Sequence, residues 1–117
     1  MTRSTPTQGE AVRRQVGAML VAMVSTDLRD EREFNDWYDN EHIQERLACP
    51  GFIGARRYRL VEGDSPSYLT LYELTDVGAL STPEYLGLAA AGSDRTKAMT
   101  SHIIERVRIV YEALTNE

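Results

Sequence analysis

One histidine, His42, closes an aromatic run made of Phe34, Trp37 and Tyr38. Its imidazole has an ordinary pKa near neutrality, which suits it to carry a proton to or from carbon or oxygen. Adjacent Glu41 can act as an acid if dry surroundings raise its pKa, or it can pair with Arg56 or Arg57. Charge that develops on a substrate oxygen needs fixed donors, and Arg56 or Arg57 with Tyr58 or Tyr72 can supply them. Tyr68 and Tyr72 share one parity of a strand, so cross-strand pairing can set them beside Tyr58 as a phenol-lined wall for an aromatic substrate. Tyr85, on a later short helix, is placed to close such a cleft. The candidate catalytic residues are therefore His42, Glu41, Arg56 and Tyr58. The candidate binding residues are Phe34, Trp37, Tyr38, Arg57, Tyr68, Tyr72 and Tyr85. Ordinary packing competes for each: a satisfied core imidazole at His42, and aromatic strand packing for the tyrosines.

Other chemistry is thinner. Cys49 is the only cysteine, which excludes an internal disulfide or a multi-thiolate metal site and leaves a small turn residue or a Cys49/His42 pair. His102 has no second histidine or carboxylate at metal-ligand spacing, although with His42 it could form a two-histidine metal or haem site. No cofactor or metal is expected. The chain has no G-x-G-x-x-G, P-loop, G-x-S-x-G or H-E-x-x-H sequence, so dinucleotide, nucleotide and zinc-protease chemistry are unsupported.

These residues need elements to hold them. Residues 1–14 lack periodicity and read as a flexible N-terminal arm, followed by one domain over residues 15–115. The stretch 15–26 is apolar on both parities, as in a strand covered on both faces. Residues 30–47 repeat aromatics, Glu41, His42 and Glu45 at spacings of three and four, a helix with acidic residues in its first turn and an unusually polar inward stripe. Pro50 and Gly51 end that connection. Strands over 52–61 and 68–74 should form an antiparallel hairpin across the turn residues EGDSPS. Thr82 and Pro83 open a short helix over 83–91 that Gly92 closes, and a second helical piece covers 93–101. The β-branched run 102–114, with Val107, Ile109 and Tyr111 alternating, reads as the last strand. The order βαββαβ is an α+β, ferredoxin-like arrangement with a four-stranded antiparallel sheet.

A lone domain of this kind wets one sheet face, yet the first strand is apolar on both: Val16, Ala18, Leu20, Ala22 and Val24 oppose Gly17, Met19, Val21 and Met23. A second copy laid face to face would cover the exposed side, making a homodimer. Cover from within one chain is the alternative.

The segment Phe34-x-x-Trp37-Tyr38-x-x-x-His42, followed by PGFIGARRYRL and YLTLYEL, resembles the EthD-like and wider dimeric α/β-barrel families. Their first helix carries an aromatic pair four and five residues before a histidine; a proline often found two residues beyond that histidine is Gln44 here. The resemblance spans roughly residues 15 to 112. It implies a cleft between sheet and helices, lined by the histidine and nearby aromatics. It also implies a place among small cofactor-free enzymes: polyketide cyclases, lactone isomerases, aldoxime or carboxylate lyases, and monooxygenases. The expected function is a cofactor-free cyclase, isomerase or lyase that uses His42 on a hydrophobic carbonyl-bearing or aromatic metabolite. A cofactor-independent monooxygenase and a non-catalytic small-molecule-binding or accessory protein are the alternatives.

The totals agree with one small domain. The 117 residues, 42% hydrophobic and 26% charged, suit a single globular core. A net charge of -5 opposes binding to nucleic acid. The longest apolar stretch, Val16 to Val24, is nine residues, far short of the roughly 20 needed to span a bilayer. No secretory signal is apparent in residues 1–10, so a cytoplasmic location is expected.

Overall fold

The computed structural model describes residues 15–114, so the expected N-terminal arm lies outside the described residues. Strand β1 (Ala18–Thr26) leads to helix α1, which runs as α-helix Arg32–Trp37, a π-helical turn Tyr38–His42 and α-helix Ile43–Leu47. Then come β2 (Phe52–Arg59), β3 (Tyr68–Leu74), a 3-10 turn Val77–Ser81, α2 (Pro83–Gly87), α3 (Asp94–Thr100) and β4 (Ile103–Glu112). All neighbouring strands are antiparallel in the order β2-β3-β1-β4. This is the split βαβ arrangement expected from the periodicity, and β1 and β4 begin slightly later than their apolar runs. The helix expected over 83–91 stops at Gly87, so α2 is a little over one turn.

Local chemistry explains the boundaries. The Thr82 hydroxyl accepts from the Tyr85 amide ahead of Pro83, and the Ser93 hydroxyl accepts from the Thr96 amide to open α3. Gly51 turns the chain from α1 into β2 at φ 87°, where a side chain is strained, and an added Cβ would stand 2.6 Å from that of Ala79.

The helices cover one sheet face. Ala18, Leu20, Ala22 and Val24 of β1 lie beside Leu74, Tyr72, Thr70 and Tyr68 of β3. Phe34, Trp37, Tyr38, Ile43 and Met99 close over them, and Phe34, Trp37 and Leu74 are fully excluded from water. Burial of that many aromatic and aliphatic side chains, at about 1.5–3 kcal/mol each, is the main stabilising term. Helix α3 is pinned against α1 by three polar links. The Trp37 indole donates to Thr96 Oγ1 at 3.1 Å, the Ser93 hydroxyl donates to Glu41 at 2.6 Å, and Arg95 pairs with Asp36 at 2.8 Å.

Among the described residues, the opposite sheet face carries no helix. Met19, Val21, Met23, Leu69, Leu71, Val107, Ile109 and Tyr111 line it, with Met19 and Tyr111 exposed. Among the described residues, no helix is long and apolar enough to cross a membrane.

Candidate active site

The π-helical turn decides where the first-helix side chains go. The Ile43 amide donates to the Tyr38 carbonyl, five residues back. In a regular α-helix residues five apart point about 140° away from each other, so Trp37 and His42 would diverge. The extra residue of the π turn realigns them. The His42 ring lies 4.8 Å from that of Trp37 and 4.6 Å from that of Tyr38. Such turns recur where a helix carries functional groups.

Beneath His42 opens a cleft of about 180 Å³ between α1, α2 and the β1/β4 half of the sheet. Leu20, Ala22, Val24 and Ile103 form its apolar lining, and Tyr38, Tyr72 and Tyr85 stand at its edge. An apolar space near this size accepts one aromatic ring. Two buried polar atoms belonging to its lining residues have no partner, Nδ1 of His42 and the hydroxyl of Tyr72. Buried groups of this kind are normally satisfied, which makes these two exceptions in the wall of the cleft.

The electrostatics fix their protonation. Burial pushes the His42 pKa down to about 3, helped by the positive charges of Arg46, Arg106 and Arg57. The imidazole is therefore neutral at pH 7. Burial, and after it the neighbouring Tyr38, raises the Tyr72 pKa well beyond the ordinary phenol range, so Tyr72 keeps its proton. A neutral base and a neutral hydroxyl donor thus share one cleft.

Several expectations are corrected by the geometry. Arg56 and Tyr58 lie on the helix-free face, where Arg56 stands 5.6 Å over the Tyr58 ring, so neither reaches the cleft. The reason is a bulge between Phe52 and Gly54. One extra residue reverses the parity of everything after it, so buried Phe52 shares its face with Ala55, Arg57 and Arg59. Tyr58 accordingly cannot join Tyr68 and Tyr72 in a phenol wall. Glu41 turns to Ser93 and is absent from the cleft lining. Of its two expected arginine partners, Arg57 pairs instead with Asp39 at 3.1 Å and Arg56 lies on the other sheet face.

Arg57 occupies the far side of Tyr38. Its guanidinium lies 4.3 Å over the Tyr38 ring and 4.8 Å over that of Tyr68. Tyr68 donates to Glu31 at 2.6 Å, and burial and that bond raise its pKa. Phe34 stacks on Tyr68 at 6.2 Å and Trp37 is fully buried, so both are packing residues behind the cleft. Tyr85 lines the cleft, stacks on Phe52 at 5.5 Å and accepts from Arg108 at 3.3 Å. His102 is held by Asp27 at 2.9 Å and does not line the cleft, which removes the two-histidine metal or haem site. Cys49 is buried, donates to the Glu45 carbonyl at 3.5 Å and lies outside the cleft. Among the described residues, no group of three or more His, Cys, Asp or Glu could hold a metal.

The three charged lining residues escaped the sequence reading: Arg46, Arg106 and Arg108. Arg46 is one turn beyond His42, and Arg106 and Arg108 share one parity of β4, but neither spacing differs from that of an ordinary solvated arginine.

No family model matches the chain, and no curated protein matches it. Solved structures do. The cofactor-independent oxygenase SnoaB from Streptomyces nogalater superposes with a TM-score of 0.60 at 17% identity, over 86% of this chain and 96% of that one. An ethyl tert-butyl ether degradation (EthD) family protein from Bacillus halodurans gives 0.52 at 18%, over 84% and 99%. The chain has the subunit fold of the dimeric α/β barrels. The same fold is found in the haem degrader MhuD from Mycobacterium tuberculosis, at a TM-score of 0.57 and 13% identity over 86% of this chain and 98% of that one. The ferredoxin-like subunit fold expected from the order of elements is therefore the fold observed.

Proposed function

We propose that the chain is a cofactor-free small-molecule enzyme in which His42 removes a proton from a carbonyl-bearing or phenolic ring compound. The observation that carries this reading is the shared cleft of His42 and Tyr72, the imidazole neutral and the phenol protonated. The substrate C–H or O–H bond breaks, its proton passes to the imidazole, and the electron pair moves onto a carbonyl or phenol oxygen. The Tyr72 hydroxyl donates to that oxygen in a space with little water, where such a bond is strong. Return of the proton to another atom gives an isomerase; attack of the carbanion on a second carbonyl gives a cyclase; loss of a leaving group gives a lyase.

Two further features belong to this reading. A homodimer covers the helix-free face, whose apolar side chains otherwise meet water. Oxygenation is the second reading, favoured by the fold shared with SnoaB: the deprotonated, electron-rich ring would react directly with dioxygen. An oxygen electrode separates the two readings once a substrate is found.

The test is His42→Ala in a turnover assay on ring-bearing carbonyl compounds, with ligand affinity measured alongside. A catalytic role predicts a loss in kcat of about 10²–10⁴-fold with modest change in affinity. A protein that only binds would show the affinity change alone.

A further inference from the structure

The proton-transfer reading leaves the most highly charged groups of the cleft without a task. Arg46 reaches it from α1, and Arg106 and Arg108 reach it from β4, while among the described residues no aspartate or glutamate lines it. None of the three forms an ion pair among the described residues. Their hydrogen bonds go to neutral oxygens: Arg46 to the His42 carbonyl at 3.1 Å, Arg106 to the Thr100 carbonyl at 3.4 Å and Arg108 to the Tyr85 hydroxyl at 3.3 Å. Among the other described arginines, Arg32, Arg57 and Arg95 each hold an aspartate, while Arg29, Arg56 and Arg59 also lack an ion pair but do not line the cleft. A chain of net charge -5 has thus gathered unopposed cations around one apolar hollow. A concave site with low-dielectric walls concentrates such a field.

We propose that this cleft takes an organic anion, a ring compound whose ring lies on the floor of Leu20, Ala22 and Val24 and whose carboxylate or phosphate is held by Arg106 and Arg108, with Arg46 facing it from the helix. The inference rests on the cleft being the ligand site. Side chains two apart on one strand face stand about 7 Å from each other, so an anion between Arg106 and Arg108 can accept from both. Guanidinium forks suit carboxylate and phosphate geometry. The exposed positions of the two β4 residues leave their side chains free to close on the ligand. The room available sets the size: one ring inside, and anything larger extending past Tyr85 toward solvent.

The experiment measures Kd by titration calorimetry for benzoate, phenyl phosphate and the uncharged benzamide. The full-length wild type is compared with the double variant R106Q/R108Q, whose fold is checked by circular dichroism. Either anion should bind at least about tenfold tighter than the amide, because hydrogen bonds to charged groups carry that much discrimination. The gap should close in the double variant and narrow in the wild type as salt rises. The order of the two anions names the headgroup. Equal affinity of wild type for all three probes would overturn the anion assignment while leaving the cleft a ligand site. No binding of any probe would overturn both. The salt dependence of the wild type decides the matter should the double variant fail to fold, since a salt-independent preference would exclude the arginines as its source.

Discussion

The two sides of Tyr38 use the same materials to opposite ends. On the β2 side an arginine, Arg57, is enclosed between Tyr38 and Tyr68 and neutralised by Asp39. On the β4 side an imidazole and three arginines meet a cleft, and among the described residues no carboxylate lines it. The first arrangement is finished by the protein itself; the second is finished only by something that enters. An aromatic ring with a cation on it is therefore no sign of a site. The sign is whether the chain has supplied the counter-charge. Nε and Nη2 of Arg57 are buried without a hydrogen-bond partner among the described residues, yet its charge is answered by Asp39. That places its function in packing, where the two ring faces stand in for acceptors.

Substitutions can separate the two sides. Arg57→Ala should cost the most stability, about 2–3 kcal/mol, because it removes two ring contacts and leaves a gap between Tyr38 and Tyr68. Chemical denaturation reads that loss, and a change under 1 kcal/mol would mean the stack is ornamental. The next effect comes from His42 through pH. Its folded pKa lies at about 3 against an ordinary 6.5, so the unfolded chain binds the extra proton first. The associated stability is complete above pH 6.5 and is lost progressively as pH falls toward 3, amounting to about 2 kcal/mol between pH 7 and pH 5. Denaturation curves of wild type and His42→Gln across that range should diverge in slope, the variant being flatter.

Smaller changes sharpen the contrast. Tyr72→Phe removes a buried hydroxyl that has no partner, so thermal stability should hold or rise by up to about 1 kcal/mol while ligand affinity falls. A clear drop in stability would show that the hydroxyl is satisfied within the fold. Arg106→Ala should change stability by less than about 0.5 kcal/mol, as expected for an exposed residue without an ion pair. A stability cost comparable to that of Arg57→Ala would erase the distinction between the two sides.

Much of this architecture was legible in the sequence, and the failures have particular causes. The strand and helix order followed from period, caps and turn residues, because each segment agrees with the fold it joins. His42, Tyr72 and Tyr85 were placed on the cleft by type and spacing. Arg56 and Tyr58 were misplaced because Ile53 adds a residue opposite no partner, and nothing in FIGARRYR marks a bulge. Glu41 was set on the inward stripe by α-helical counting, which the π turn invalidates. Arg106 and Arg108 were passed over because a charged residue on an edge strand is ordinarily wet. Their meaning comes only from what faces them across the cleft.

The helix that carries His42 contains one residue more than a regular spiral of the same reach requires. Removing Asn40, whose side chain lies on the outer surface and holds only Asp36 at 2.8 Å, would let the turn close in ordinary α-helical form. Trp37 and the imidazole would then stand four residues apart in a regular α-helix, about 40° from each other, and would still share a face. The extra residue is thus absorbed where it sits, and the histidine is re-aimed by a residue gained or lost elsewhere between Trp37 and His42 without such a turn to take it up.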